Sequence, residues 1–145
     1  MAADARGAFW AYLRKLLPPN GHYSRIESEQ APGFPDVAYT LDGVSGTIEL
    51  KVAQRPGAKY PFSGANGLRK SQLRWIEEEC AAGGHVLLAL QVGNRVYLLD
   101  ADPYACDLRN RTLEHIEYIA DQRWTKGRGG KPPTAAVLAR VLCEW

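Results

Sequence analysis

Apolar residues recur at helical intervals through Phe9, Leu13, Leu16 and Leu17. The chain therefore opens on an amphipathic helix over about residues 4–17, stopped by Pro18-Pro19-Asn20-Gly21. The period then changes. A short strand is expected near residues 23–27 and a turn at Ala31-Pro32-Gly33. Residues 36–41 and 47–52 alternate with a period of two across a break at Asp42-Gly43, which predicts two strands. Residues 54–68 carry Pro56, Gly57, Pro61, Gly64 and Gly67, a loop long enough to suspect of function. A helix over residues 70–82 closes on Gly83-Gly84. The unbroken apolar run at 86–90 reads as a buried central strand, and Gly93-Asn94 turns it into a strand at 95–99. Helices near 112–124 and 134–142 flank a glycine-rich loop at 126–131. The order α-β-β-β-α-β, then a strand and helices, predicts an α/β protein (α+β, with a mixed sheet) covered by helices. One domain over residues 1–145 is expected, with its core at about 4–100 and a C-terminal helical extension at about 104–145.

The two middle strands carry the chemistry. Val37, Tyr39 and Leu41 point one way, as do Ile48, Leu50 and Val52. The opposite face receives Asp36, Ala38 and Thr40 from one strand and Thr47, Glu49 and Lys51 from the other. One face is greasy; the other holds two acids and a lysine. Asp-Gly favours a two-residue type I′ turn. With Asp42-Gly43 in that turn, Val37 faces Ile48 and Asp36 lies opposite Glu49, Cβ atoms about 5 Å apart. Gly46 would permit a wider loop, which makes the two acids diagonal neighbours on the same face.

Like charges so placed destabilise the hairpin, so they ask for a cation between them or for one raised pKa. Hard oxygen ligands suit Mg²⁺ or Mn²⁺, which keep several waters and also bind phosphate oxygens. Lys51, two residues beyond Glu49, is in place to orient an attacking water or stabilise charge on a phosphorus centre. A solvent-facing strand that merely alternates acid and base has the same pattern, and spacing alone leaves both readings open.

Composition changes this picture little. With 145 residues, 46% of them hydrophobic and 23% charged, the chain is suited to one globular domain and not to disorder. No apolar run approaches the roughly 20 residues of a membrane span, so no membrane partner is expected. Asp4, Arg6, Arg14 and Lys15 among the first apolar residues argue against a signal peptide. Cys80, Cys106 and Cys143 are an odd set without paired spacing, read as reduced thiols of a cytoplasmic protein.

The net charge of +2 is uninformative, but its distribution is not. Between Glu49 and Glu77 there is no acid, while Lys51, Arg55, Lys59, Arg69, Lys70 and Arg74 are basic. Between Asp121 and Glu144 there is again none, and Arg123, Lys126, Arg128, Lys131 and Arg140 lie there. Two such windows suit a phosphate backbone; two solvated loops explain them as well. Tyr60 and Phe62 either stack on unpaired bases or tuck beneath their loop. His22, His85 and His115 lie at no zinc spacing, no serine sits in a nucleophile elbow, and no glycine-rich phosphate loop precedes a lysine.

Pro35-Asp36 followed by Glu49-Leu50-Lys51 resembles the signature of the PD-(D/E)XK nuclease superfamily, whose core has the predicted αβββαβ order. Arg25-Ile26-Glu27, Gly33-Phe34-Pro35-Asp36-Val37 and Ile48-Glu49-Leu50-Lys51 resemble its virus-type replication-repair (VRR-NUC) branch, common in phage and prophage proteins. So do Leu68-Arg69-Lys70-Ser71-Gln72-Leu73-Arg74-Trp75 and the closing Gly83-Gly84. The resemblance implies a restriction-endonuclease-like core with extra C-terminal helices. By it, Asp36 and Glu49 are metal ligands, Lys51 is the catalytic lysine and Gln72 is the helix glutamine that supports the site. Glu27 is the upstream acid, with Glu29 two residues on as the alternative. It also implies Mg²⁺, with Mn²⁺ able to substitute, in the cytoplasm of a bacterial or phage-infected cell. Residues 101–145 match nothing in it.

The expected function is a metal-dependent DNA endonuclease that hydrolyses phosphodiester bonds, structure- or end-directed, in replication, repair or recombination. Arg55, Lys59, Arg69, Lys70, Arg74, Lys126, Arg128 and Lys131 are its expected DNA contacts. The alternatives are a catalytically inactive DNA-binding module of the same fold and an assembly component that binds neither metal nor DNA. DNA, branched or at a single-strand/duplex junction, is the expected partner, and a homodimer is a further candidate because junction resolvases pair.

Overall fold

The computed structural model describes residues 5–26 and 33–144. Helix α1 spans Ala5–Leu16, then β1 His22–Arg25, β2 Val37–Leu41, β3 Val44–Ala53, α2 Lys70–Ala81, β4 Val86–Val92 and β5 Arg95–Asp100. The chain continues through a short helix α3 (Ala101–Tyr104), a 3₁₀ segment (Ala105–Asn110), α4 (Leu113–Ile119), β6 (Gln122–Thr125) and α5 (Ala135–Cys143). The first six elements keep the expected αβββαβ order, and the fold is α/β with a mixed sheet. Among the described residues, no helix is long and apolar enough to cross a membrane.

The six strands lie in sequence order, β1 to β6. Every pair is antiparallel except β3 and β4, and that pair needs a crossover, which the 54–68 loop and α2 provide. Leu41 pairs with Val44 and Val37 with Ile48. Asp42 and Gly43 both take positive φ, 50° and 79°, as a type I′ turn requires. Gly46 sits within the ladder opposite Tyr39, so the wider loop does not form. The ladder stops at Val37 and Ile48, and the positions one step beyond are Asp36 and Glu49.

Strand parity sorts the core into two layers. Val37, Tyr39, Leu41, Ile48, Leu50, Leu87 and Ala89 pack on Phe9 and Leu13 of α1 and on Leu138 and Leu142 of α5. Leu88, Leu90 and Leu99 pack on the other face with Ile76 of α2, Ile116 of α4, and Phe62 and Leu68 of the crossover loop. Each such fully buried side chain contributes roughly 1.5–3 kcal/mol relative to exposure. Glu49 and Lys51 pair with Leu88 and Leu90, so they share the second face. Because β3 is hydrogen-bonded on both sides and covered on both faces, its acid and base are not on a solvated surface.

The expected helix over 112–124 is corrected. It ends at Ile119, Ala120 leaves helical geometry with ψ 134°, and Gln122–Thr125 pair with β5 as a sixth strand. Burial decides this: Trp124 enters the α1/α5 layer, where its Nε1 donates to the Tyr12 hydroxyl at 2.7 Å. The helical extension expected from about residue 104 begins slightly earlier, with helical turns over residues 101–110 and the Asp100 carboxylate capping Asp102 N.

Gly33 ties the hairpin to α2. Its φ is +87°, and a Cβ there would collide with the Ser71 carbonyl in the first turn of α2. Phe34 beside it stacks edge-on against Trp75, ring centroids 4.9 Å apart. Gly33→Ala is expected to cost about 2 kcal/mol or more, by positive-φ strain and by pushing the start of α2 off β3. Thermal denaturation checks this, and an unchanged melting temperature contradicts it.

Candidate active site

Where the ladder between β2 and β3 ends, the Asp36 side chain takes over: its Oδ2 accepts from Leu50 N at 2.8 Å. The Asp36 carbonyl accepts from Ile26 N at 2.8 Å, extending the contact with β1. Asp36 is thereby pinned beside Glu49 with its other oxygen, Oδ1, turned outward.

Glu49 is fully buried, and Lys51 retains 8% of its exposure. Gln72, in the first turn of α2, connects them. Its Nε2 donates to Glu49 Oε1 at 3.3 Å, while its Oε1 accepts from Lys51 Nζ at 3.0 Å and from Arg69 N at 2.8 Å. The last contact closes the helix start as the glutamine of a capping box does. One residue thus fixes both the start of α2 and the aim of Lys51.

The electrostatics follow from burial. The Glu49 carboxyl is pushed from 4.5 up to about 9, by desolvation first and then by the neighbouring Asp36 carboxyl, with Lys51 and Arg6 opposing. The Lys51 ammonium is lowered, again by desolvation first, although Glu49 and Asp36 pull it back up. Glu49 Oε2 is buried and receives no bond from any N–H or hydroxyl; it faces the Asp36 carboxyl, so a shared proton or a cation satisfies it. A buried carboxylate oxygen left over beside a second carboxylate is a donor set that suits a hard divalent ion. Two acids plus waters match the way Mg²⁺ is usually held. Among the described residues no three His, Cys, Asp or Glu side chains form a ready-made metal cluster. Glu27 and its alternative Glu29 lie outside the described residues.

Lys51 and Val52 form one wall of a cleft of about 390 Å³, whose other walls are Arg6, Asn66, Gly67 and Arg69. A larger depression, about 510 Å³, lies under α5 beside His85, Asp100, Asp121 and Arg140. The smaller one is the stronger candidate because it opens on the strand that bears the coupled acid and base.

The predicted cations divide. Arg69 lines the cleft, and Lys70 and Arg74 are exposed along α2. Arg55 and Lys59 are exposed in the loop that follows β3, Lys59 Nζ lying 5.6 Å from the Tyr60 ring centroid. Lys126 is not brought to the cleft: its Nζ donates to Gln91 Oε1 at 3.2 Å and covers the Tyr12 ring, on the α1 face. Arg128 and Lys131 are exposed in the loop after β6, an edge strand three places from β3 and so about 14 Å away across the sheet. Phe62 is core, whereas Tyr60 is half exposed. Arg6 is the residue that sequence reasoning missed. Its Nη1 meets Asp36 Oδ1 at 3.3 Å, a contact thirty positions apart that no local pattern encodes.

No protein-family model matches this chain, and no curated protein matches it. Among solved structures it is similar to a 1.6 Å structure of Archaeoglobus fulgidus Hjc, a Holliday junction resolvase from an archaeal hyperthermophile. The identity is 11%, the match covers 93% of this chain and 97% of that one, and the TM-score is 0.44. At that distance the likeness assigns no residue a role; the site has to be read from its own side chains.

Proposed function

We propose that this protein is a divalent-metal-dependent DNA nuclease that hydrolyses phosphodiester bonds at the cleft between β3, the start of α2 and the 64–69 turn. The observation that carries this reading is the buried Glu49 carboxyl, with Oε2 receiving no bond from any N–H or hydroxyl, set against the Asp36 carboxyl, two residues from a lysine held by Gln72. A buried acid left in that state costs free energy that an ordinary structural pair would not.

Asp36 and Glu49 would hold the ion, Mg²⁺ or Mn²⁺. When bound, it supplies polarisation of the phosphoryl group and a lowered pKa for an attacking water. Lys51 Nζ, on the cleft wall, donates to oxygens of the scissile phosphate as negative charge grows on them. Gln72 keeps Nζ from relaxing onto Glu49. Arg69 at the rim pairs with an adjoining phosphate. The VRR-NUC-like stretches 33–37 and 68–75 support this reading, because they meet through Gly33 on Ser71 and Phe34 on Trp75 and so join the acidic hairpin to Gln72.

The finer reading is a structure-directed enzyme. Tyr60 presents a half-exposed ring from the loop that continues β3, and its carbonyl accepts from Ser63 N and Oγ at 3.3 and 3.0 Å. A ring so held is a stacking platform for an unpaired base next to the cut. Incubation with linear duplex, flap, nicked and four-way-junction DNA, in Mg²⁺, Mn²⁺ or chelator, tests both levels. Ion-dependent cleavage with preference for substrates that offer unpaired bases is expected. Cleavage that persists in chelator overturns the proposal, and binding without cleavage in any ion replaces it with an inactive DNA-binding module.

A further inference from the structure

Arg6 has no part in the chemistry assigned so far, yet it reaches into the site. It rests on the one Asp36 oxygen that Leu50 N does not hold, which is the oxygen Asp36 would have free to offer a divalent ion. A guanidinium and a divalent cation do not share one carboxylate oxygen at contact distance. The contact is 3.3 Å, longer than the roughly 2.8 Å of a tight charged pair, and the Arg6 side chain is 46% exposed against 13% for Asp36. Arg6 can therefore leave Asp36 by rotation about its own side-chain bonds, without repacking the α1 core made by Phe9 and Leu13. The space it would turn into is the cleft it already lines with Lys51 and Arg69.

We propose that Arg6 is an exchangeable counterion: it neutralises Asp36 while no ion is bound and moves onto a DNA phosphate when a divalent ion takes its place. This rests on the nuclease reading above. It makes metal and DNA binding reciprocal, since whatever draws Arg6 toward the phosphate vacates Asp36 for the ion.

The test uses the full chain and two variants, Arg6→Gln and Arg6→Lys. Mn²⁺ affinity is read by calorimetry. DNA affinity is read by fluorescence anisotropy over a range of salt, with Ca²⁺ present to occupy the site and again with no divalent ion. Arg6→Gln is expected to bind Mn²⁺ about fivefold more tightly than the parent, because a competing ion pair has gone, and Arg6→Lys to fall between. In Ca²⁺ the slope of log affinity against log salt should shrink by about one for Arg6→Gln, the loss of one phosphate contact, and stay unchanged when no divalent ion is present. If parent and Arg6→Gln bind Mn²⁺ equally well, the exchange is overturned while the nuclease reading stands. If neither binds Mn²⁺, both are overturned.

Discussion

A Lys51→Ala protein is expected to lose DNA cleavage by about 10²- to 10³-fold while remaining folded. Lys51 is the cation that β3 itself delivers to the cleft wall, and Gln72 Oε1 holds its amine at 3.0 Å. Arg69 stands at the rim on a separate element, so it cannot take over a contact that must form as charge develops on the phosphorus centre. Because burial already works against the Lys51 charge, its removal should leave the melting temperature within a few degrees of the parent, at a cost of about 1 kcal/mol or less. Single-turnover cleavage at saturating DNA separates the loss of chemistry from a loss of binding. A Lys51→Ala protein that cuts at the parental rate would remove Lys51 from the mechanism.

The second large effect concerns stability. In the metal-free protein the folded-state pKa of Glu49 is about 9, against 4.5 for the ordinary carboxyl, so the folded chain binds the proton more tightly than the unfolded one. Its stabilising contribution is therefore fully present below pH 4.5 and is lost as pH rises toward 9. Lys51 works in the opposite sense, its lowered pKa favouring the folded state as the ammonium deprotonates, so the comparison must isolate Glu49. Glu49→Gln does so: the amide oxygen can still accept from Gln72 Nε2 and no charge is buried. At pH 8 without metal, Glu49→Gln should be more stable than the parent by about 2 kcal/mol, with most of the difference gone at pH 5. Mg²⁺ should raise the parent's melting temperature at pH 8 and leave the variant's unchanged. Denaturant titrations at the two pH values read this directly. Equal stabilities at pH 8 would mean that folding does not raise the Glu49 pKa.

The parts of this site that were legible in the sequence are those set by short-range rules. The period-two alternation of 36–41 and 47–52 and the Asp42-Gly43 turn are local, and the observed register follows from them. Burial was not legible. Alternation puts Glu49 and Lys51 on one face but cannot say that α2 and Phe62 will cover it, which turns a plausible surface strand into a coupled buried pair. β6 was missed because a four-residue edge strand carries almost no period of its own, and Leu113, Ile116 and Ile119 run toward it with helical spacing. Only the pairing with β5 and the seat of Trp124 against Tyr12 define it, and both are long-range. Arg6 and Lys126 fail in opposite ways. The first lies outside both basic windows yet touches Asp36, and the second lies inside one yet is committed to Gln91 on the far face. A charge run reports local composition, whereas which cations meet the acids is decided by how α1 packs and by where the chain after β6 is led.

The most direct test of the whole account is the position of a bound ion. A crystal soaked in Mn²⁺ should show an anomalous peak within about 2.2 Å of Asp36 Oδ1 and of a Glu49 carboxylate oxygen, the spacing of a hard octahedral ion. A peak that touches only one of them, or an ion that binds elsewhere and leaves Glu49 Oε2 without a partner, would contradict it.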